Sequence, residues 1–267
     1  MPNKQTVVIT GGSSGIGLAT AKLFADNGFS VFSLSRSAPD DIRITHIPTD
    51  VSSEDSVKEA FNKIKNSCVK LDILINNAGF GISGATELTT VTDAKRLFDV
   101  NFFGTFLCSK YAAPLLRESK GIIINVSSAA AIFSIPYQAF YSASKAAVNS
   151  LSLAIKNELL PFNVRVCTVM PGDVKTGFTS ARKKDNAQNS IYSDTVGPSV
   201  SVMEKDEENG MSPQKIAARI FSLSKKQHPK PLTVVGGKYK LFALLNKLLP
   251  ARFVNYVVGK MYIKKTK

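Results

Sequence analysis

The stretch that decides the fold is TVVITGGSSGIG, residues 6–17. Its first five residues, Thr6–Thr10, are all β-branched and predict a buried strand. A helical pattern begins at residue 17 and places Leu18, Ala21 and Phe24 on one face. Between strand and helix, glycines let the backbone approach an anion, and the helix N-terminus offers free N–H groups. The G-x-x-x-G-x-G spacing differs from the G-x-G-x-x-G fingerprint, and no Gly-Lys-Ser/Thr follows. It therefore predicts a pyrophosphate-binding turn and disfavours a nucleoside triphosphate.

Short apolar runs alternate with helical patterns along the rest of the chain. The strand-like runs are residues 30–34, 71–75, 121–126, 164–169 and 232–235, and a third strand is expected before Asp50. The helical patterns are residues 17–27, 53–66, 92–117 and 138–160. This alternation predicts an α/β fold in a single domain over residues 1–267. The expected architecture is a Rossmann-type doubly wound parallel sheet with helices on both faces and a C-terminal helical extension.

Residues 173–213 differ from the rest, because they are mostly polar and show no regular pattern. They predict an irregular substrate loop or lid. Two charged clusters within them, Arg182-Lys183-Lys184 and Asp206-Glu207-Glu208, are interpreted as solvated surface.

Composition restricts the function classes. No apolar leader precedes the first strand, and no apolar run is long enough to span a membrane. Cys68, Cys108 and Cys167 lack metal-ligand spacing, and the chain has only two histidines, so no metal site is predicted. We expect a cytoplasmic protein with reduced thiols.

The end of the second strand bears on the choice of cofactor. A carboxylate at this place would bind a ribose 2′-hydroxyl and repel a 2′-phosphate, but the chain has Ser35 followed by Arg36. Because an arginine can pair with a phosphate, the sequence favours NADP over NAD. Arg36 as a solvated loop residue remains an alternative. Asp50 and Val51 are expected near the adenine, unless Asp50 only caps a helix.

A catalytic group is suggested by Tyr141 and Lys145, which lie four residues apart on one helical face. A neighbouring ammonium favours the phenolate form of a tyrosine and makes proton transfer feasible near neutral pH. Ser128 follows a predicted strand at the sheet edge where α/β proteins bind ligands. Ser127 is a competing candidate for the same role. The residues Asn76–Gly79 and Pro171-Gly172 follow other predicted strands at that edge, and Asn101 lies within a helical pattern.

With these features together, the chain resembles the short-chain dehydrogenases/reductases. The matching motifs are T-G-x-x-x-G-I-G at residues 10–17, N-N-A-G at 76–79, Asn101, Ser128, Y-x-x-x-K at 141–145 and P-G at 171–172. The resemblance implies an oxidoreductase acting on a C–O centre. By this resemblance Tyr141 is the general acid/base, and Lys145 lowers the pKa of Tyr141 and holds the nicotinamide ribose. Ser128 binds the substrate oxygen, and Asn101 positions a water for a proton relay. The interval between residues 128 and 141 favours Ser128 over Ser127.

The resemblance also implies a nicotinamide cofactor. The residues predicted to bind it are Gly11, Ser13, Ser14, Gly15, Ile16, Gly17, Ser35, Arg36, Asp50, Val51, Asn77, Ala78, Gly79, Tyr141, Lys145, Pro171, Gly172, Val174 and Thr176.

Apolar side chains dominate the expected substrate pocket: Phe80, Ile82, Ile132, Phe133, Ile135 and Phe178. No Arg or Lys is expected to reach Ser128. We therefore predict a bulky apolar ketone or secondary alcohol, first a hydroxysteroid or bile acid, in keeping with resemblance to hydroxysteroid dehydrogenases. A lipid ketone such as acyl-dihydroxyacetone phosphate, or a retinoid, is the alternative. Several of these residues could instead be ordinary core.

The formal net charge of +14 is concentrated near the end of the chain. Residues 238–267 hold eight Lys or Arg and no Asp or Glu, in two amphipathic helical patterns separated by Pro250. This basic extension could lie peripherally on an anionic membrane, or it could pack on its own domain, close the pocket or form a subunit contact. We expect a homo-oligomer, a dimer or tetramer. Nucleic-acid binding and a non-catalytic cofactor-binding module are rival functions that the sequence disfavours.

Overall fold

A computed structural model describes residues 4–67, 70–184 and 191–263. Its strands are β1 (Thr6–Thr10), β2 (Ser30–Ser35), β3 (Ile44–Pro48), β4 (Ile73–Asn76), β5 (Ile82–Ser83), β6 (Ile122–Val126), β7 (Arg165–Pro171), β8 (Lys183–Lys184) and β9 (Leu232–Val235). Seven of them form one parallel sheet in the order β3-β2-β1-β4-β6-β7-β9, and β5 pairs with β8 apart from it.

The strand order sets the position of the ligand cleft. The chain begins in the middle of the sheet at β1, moves outward through β2 to β3, and then crosses back to β4 on the other side of β1. Loops leaving β1 and β4 therefore diverge, and an open crevice forms at the carboxyl ends of these strands. The predicted doubly wound fold is confirmed.

Helices cover both faces of the sheet: α1 (Gly15–Asp26), α2 (Glu54–Ser67), α3 (Val91–Phe98), α4 (Gly104–Ser119), α5 (Ala139–Glu158), α6 (Phe178–Ala181), α7 (Ser193–Glu208), α8 (Pro213–Ser224), α9 (Gly237–Leu248) and α10 (Ala251–Tyr262). Successive residues of β6 point into different cores, because side chains alternate along a strand. Ile123 packs with the apolar faces of α2 and α4, whereas Ile122 and Ile124 pack with those of α1 and α8. Both faces being buried explains why the strands are almost entirely apolar.

Two helical regions differ from the sequence prediction. The single helix expected over residues 92–117 is interrupted by a π-helical turn at Asp99–Phe103, which separates α3 from α4. The irregular segment expected over 173–213 contains α7, which accommodates Pro198 in its interior, and the beginning of α8. Residues 185–190 of that segment lie outside the described ranges.

Within the described residues, no helix combines the length and apolar character needed to cross a bilayer. Cys108 and Cys167 are buried free thiols, and Cys68 is outside the described residues.

Candidate active site

A cleft of about 760 Å³ opens at the carboxyl edge of the sheet. Loops after β1, β2, β4, β6 and β7 form its floor, and α9 and α10 cover its far end. Most of the predicted site residues line it: Gly11, Ser13, Ser14, Gly15, Ile16, Ser35, Arg36, Asp50, Val51, Asn77, Ala78, Gly79, Ser128, Tyr141, Lys145, Pro171, Gly172, Val174 and Thr176. Gly17 and Asn101 lie behind the cleft wall. The structure thus brings residues from distant parts of the chain to one site.

The glycine-rich turn after β1 has the geometry that a close backbone approach requires. Gly11 and Gly15 have φ values of 65° and 52°, which favour glycine. A Cβ on Gly17 would lie 2.1 Å from the main-chain oxygen of Gly11, so a side chain there would displace the turn. The Ser14 side chain makes no capping hydrogen bond with α1. The first-turn N–H groups of α1 are therefore not capped by that side chain and face the anion site expected from the sequence.

Hydrogen bonds of Asn77 and Ala78 hold the loop after β4 against this turn. The backbone N–H groups of Asn77 and Ala78 donate to the Thr10 hydroxyl oxygen at 2.9 and 3.0 Å. The Asn77 side-chain amide donates to the carbonyl oxygens of Thr10 and Gly11 at 3.0 and 3.2 Å. These bonds fix the distance between the β1 and β4 loops, and hence the width of the crevice.

The end of β2 presents no carboxylate to the cleft. The buried Ser35 hydroxyl bonds with Ser33 at 3.0 Å and donates to the Ser37 carbonyl at 2.8 Å, while Arg36 is exposed at the cleft edge. Asp50 accepts hydrogen bonds from the backbone and hydroxyl of Ser52 at 2.9 and 2.6 Å, which lower the pKa of that carboxyl. Asp50 thus closes a local turn and lines the cleft, whereas Ser53 and not Asp50 accepts from the first turn of α2.

Ser128, Tyr141 and Lys145 meet between β6 and α5. The Ser128 hydroxyl oxygen accepts from the backbone of Ala130 at 3.1 Å and is hydrogen-bonded with Tyr141. Lys145 Nζ donates to the Val126 carbonyl oxygen at 3.0 Å and lies 5.9 Å from the centre of the Tyr141 ring. The competing Ser127 instead donates its hydroxyl to the Lys145 carbonyl at 2.9 Å and so has a structural role.

The pKa values of this group follow from burial. Burial raises the pKa of Tyr141 to about 12, although its hydrogen bond with Ser128 and the charge of Arg182 oppose the rise. Burial likewise lowers the pKa of Lys145 to about 8. The lowering of the Tyr141 pKa by Lys145 that the resemblance implied is not seen, because desolvation outweighs the effect of the charged neighbours.

Asn101 is fully buried in the π-helical turn. Its side-chain oxygen accepts from the backbone of Phe80 at 3.0 Å, and its amide donates to the Phe80 carbonyl and to the Ser144 hydroxyl at 3.0 and 3.1 Å. These contacts join the β4 loop to α5, so Asn101 positions the elements that carry Tyr141 and Lys145. Its role in a water relay remains a prediction.

The substrate side of the cleft is largely apolar. Phe80, Phe133, Ile135 and Phe178 line it as expected, and the Phe178 and Tyr141 ring centres are 5.6 Å apart. The other two expected pocket residues, Ile82 and Ile132, do not line the cleft, and Ile82 is buried. Residues of the basic extension complete the wall, in line with the pocket-closing alternative that the sequence left open for it: Phe242, Leu245, Asn246, Leu249, Phe253, Val254, Val257, Val258, Met261 and Tyr262.

Both charged clusters contribute to the pocket wall, so interpreting them as entirely solvated surface was wrong. The Arg182 side chain is 1% exposed and forms an ion pair with Glu207, which lines the cleft and also accepts from Thr179 at 2.5 Å. Arg182 Nε and Nη1 have no hydrogen-bond partner within the described residues. Asp173 accepts a hydrogen bond from the Tyr239 hydroxyl. The charges of Arg182, Glu207 and Asp173 all influence the pKa of Tyr141.

Comparisons with known proteins agree with this fold. The model of the short chain dehydrogenase family matches residues 5–187. The chain is 38% identical over 263 residues to a 3-ketodihydrosphingosine reductase of Bacteroides thetaiotaomicron, covering 97% of this chain and 98% of that protein. A short-chain dehydrogenase from Streptomyces avermitilis superposes with a TM-score of 0.83 at 28% identity, covering 97% and 96% of the two chains. ElxO with NADP bound superposes with a TM-score of 0.74 at 27% identity, covering 89% of this chain and 99% of ElxO. The chain belongs to the short-chain dehydrogenase/reductase family of oxidoreductases.

Proposed function

We propose that the protein is an NADP(H)-dependent reductase that converts the ketone of a long-chain amino lipid into a secondary alcohol. The observation that carries this proposal is the presence of Glu207 and Asp173 at the largely apolar substrate side of the cleft, close enough to influence the pKa of Tyr141. The Bacteroides relative is named for 3-ketodihydrosphingosine, which is a long-chain 2-amino ketone. This supports the lipid-ketone alternative over the steroid or bile acid that the sequence ranked first.

The proposed cofactor is NADP(H). The turn from Gly11 to Gly17 fits a pyrophosphate, because its backbone is close-packed and the first residues of α1, Gly15 and Ile16, line the cleft. Arg36 at the cleft edge, with Ser35 in place of a carboxylate, fits a 2′-phosphate. The similarity to ElxO with NADP bound is consistent with this choice. When bound, NADPH supplies the hydride that reaches the substrate carbon.

Tyr141 donates the proton in the proposed reaction. Because its pKa is about 12, the hydroxyl stays protonated near neutral pH, the form required to protonate a carbonyl oxygen during reduction. Ser128, hydrogen-bonded with Tyr141, orients the same oxygen. Lys145, whose pKa is about 8, exchanges its proton near neutral pH and restores the proton of Tyr141. Lys145 also holds the nicotinamide ribose in this proposal.

The charges in the cleft favour a cationic substrate. Burial, and then the negative charge of Asp206, raise the pKa of Asp173 to about 6, and Glu207 adds to the rise. These carboxylates therefore repel one another, although Lys238 and Arg182 oppose the effect. A substrate ammonium would relieve this repulsion, whereas the carboxylate of a bile acid would increase it. A neutral ketosteroid is the second candidate, since the Phe133 and Phe178 side chains offer it an apolar wall.

The test is NADPH oxidation with 3-ketodihydrosphingosine, its N-acetyl derivative, a ketosteroid and an oxo-bile acid. We expect the highest kcat/KM for the free amine. Glu207→Gln should raise KM about tenfold for the amine and leave KM for the N-acetyl derivative unchanged, since only the amine carries the charge that Glu207 attracts. Glu208→Gln, at an exposed position beside it, is the matched control. Preference for the oxo-bile acid, or an equal effect of Glu207→Gln on both ketones, would overturn the proposal.

A further inference from the structure

The last two helices have two different apolar faces. Their inner faces line the cleft through side chains such as Phe242, Leu249 and Val254. The sequence pattern placed all apolar residues of this segment on one side, but the structure divides them. Eight of the sixteen large apolar side chains that are exposed in the described residues belong to this segment, and five of those eight do not line the cleft: Leu241, Leu244, Leu248, Tyr256 and Ile263. This concentration is a patch rather than scattered exposure.

The outer face of α9 carries a continuous stripe of leucines. Leu241, Leu244 and Leu248 are 55%, 54% and 71% exposed, and none of them lines the cleft. Their spacing of three and four residues aligns them on one side of the helix. Lys240 and Lys247, both exposed, flank one edge of the stripe.

The outer face of α10 carries amphipathic side chains. Tyr256 is 61% exposed, and Lys260 Nζ lies 5.7 Å from the centre of its ring. Arg252 is exposed on the same side of the helix. Tyrosine and long basic side chains can bury their apolar parts while their polar ends stay in water, which suits the boundary between lipid and water.

The charge of this region decides which partner fits. Residues 238–267 contain no Asp or Glu. Lys238 lines the cleft and lies 3.9 Å from Asp206 of α7. The other four basic side chains are exposed and do not line the cleft: Lys240, Lys247, Arg252 and Lys260. A second copy meeting this face about a twofold axis would bring like charges together, which is unfavourable. Exposed Phe106 on α4 and Leu153 on α5 offer a separate face for self-association.

We propose that Leu241, Leu244, Leu248 and Tyr256, with Lys240, Lys247, Arg252 and Lys260, form a docking face for the surface of an anionic phospholipid bilayer. The two helices lie on the headgroup layer and bury the leucine stripe, and the basic side chains contact lipid phosphates. The inner faces of the same helices border the cleft, so docking brings the pocket to the membrane surface. This inference does not depend on the identity of the substrate.

The test is flotation of the full chain with vesicles of phosphatidylcholine alone or mixed with phosphatidylglycerol. We expect binding to the anionic vesicles, weakened by salt. The triple variant Leu241→Ser, Leu244→Ser, Leu248→Ser should bind at least about tenfold more weakly, because the apolar contact is lost. The double variant Lys240→Gln, Lys247→Gln should also lose about tenfold, and only on anionic vesicles.

A matched control replaces three exposed apolar side chains elsewhere, Ile42, Val91 and Leu160, with serine. It should bind vesicles as the wild type does. Hydrogen exchange of the wild type with and without anionic vesicles is a second measurement that needs no variant, and it should show protection over residues 237–262. Absence of vesicle binding, equal loss in the control, or no protection of this segment would overturn the proposal. The proposal would also be overturned if the leucine variant changed its oligomeric state and the wild type did not bind vesicles.

Discussion

Lys145 is proposed to act in catalysis while its charge is buried, so the structure predicts that replacing it makes the protein more stable and inactive. Burial lowers its pKa from an ordinary value of 10.5 to about 8. At about 1.4 kcal/mol for each pKa unit, keeping the ammonium charged in the folded protein costs about 3 kcal/mol below pH 8. Lys145→Met removes this cost. It also removes the hydrogen bond to the Val126 carbonyl, whose loss costs about 1–2 kcal/mol. We expect a net stabilisation of about 1–2 kcal/mol at pH 7.

The pH dependence gives a second check of the same effect. Between pH 8 and 10.5 the unfolded chain binds more protons at this lysine than the folded protein does, so wild-type stability rises with pH. The advantage of Lys145→Met should therefore shrink as the pH increases across this window. Urea unfolding of both proteins at about pH 7 and about pH 10 measures the difference in their free energies of unfolding at each pH.

Lys95→Met, at an exposed position on α3, is the control for this experiment and should change stability by less than about 0.5 kcal/mol at either pH. A lower stability of Lys145→Met than of the wild type near pH 7 would refute the predicted cost of the buried Lys145 charge. A stability gap that is the same at both pH values would refute it equally.

Three further predictions concern the cofactor and the substrate. Gly17→Ala should lower the melting temperature and weaken NADPH binding at least about tenfold, because its Cβ would clash with the Gly11 carbonyl; Gly197→Ala, with open space around it, is the calorimetric control. Arg36→Ala should raise KM for NADPH by about tenfold and leave KM for NADH unchanged; equal effects on both would show that Arg36 does not contact the 2′-phosphate. KM for the amino ketone should fall as the pH rises through about 6, since Asp173 then gains its negative charge; a flat profile of KM from about pH 5 to 7 would exclude this role.

The fold could be predicted because its determinants are local. Each central strand is buried on both faces, so its residues form an apolar run such as Ile122–Val126, which sequence alone reveals. The glycine turn and the Ser128, Tyr141 and Lys145 spacing depend on local backbone geometry and on the carboxyl edge of a parallel sheet. Those constraints place the predicted residues around one cleft.

The parts that the sequence missed depend on tertiary packing. Glu207 and Arg182 lie in clusters of like charge that are typical of solvated surface, and only the packing of α7 against the loop after β7 buries their ion pair. The π-helical turn at Asn101 was not recognised from the sequence. A single turn whose hydrogen bonds join residues i and i+5 is too short to leave a recognisable pattern of apolar residues. The sequence left open what the apolar face of α9 contacts, since periodicity shows that residues share a face but not what that face contacts.

The central claim is that Tyr141 protonates the ketone oxygen of a lipid substrate while NADPH is oxidised. The most direct test compares NADPH oxidation by the wild type and by Tyr141→Phe with 3-ketodihydrosphingosine, together with NADPH binding by fluorescence. We predict that Tyr141→Phe lowers kcat by about a thousandfold and leaves the Kd for NADPH nearly unchanged, because it removes one proton donor and little volume. Full activity of Tyr141→Phe with this ketone would contradict the account.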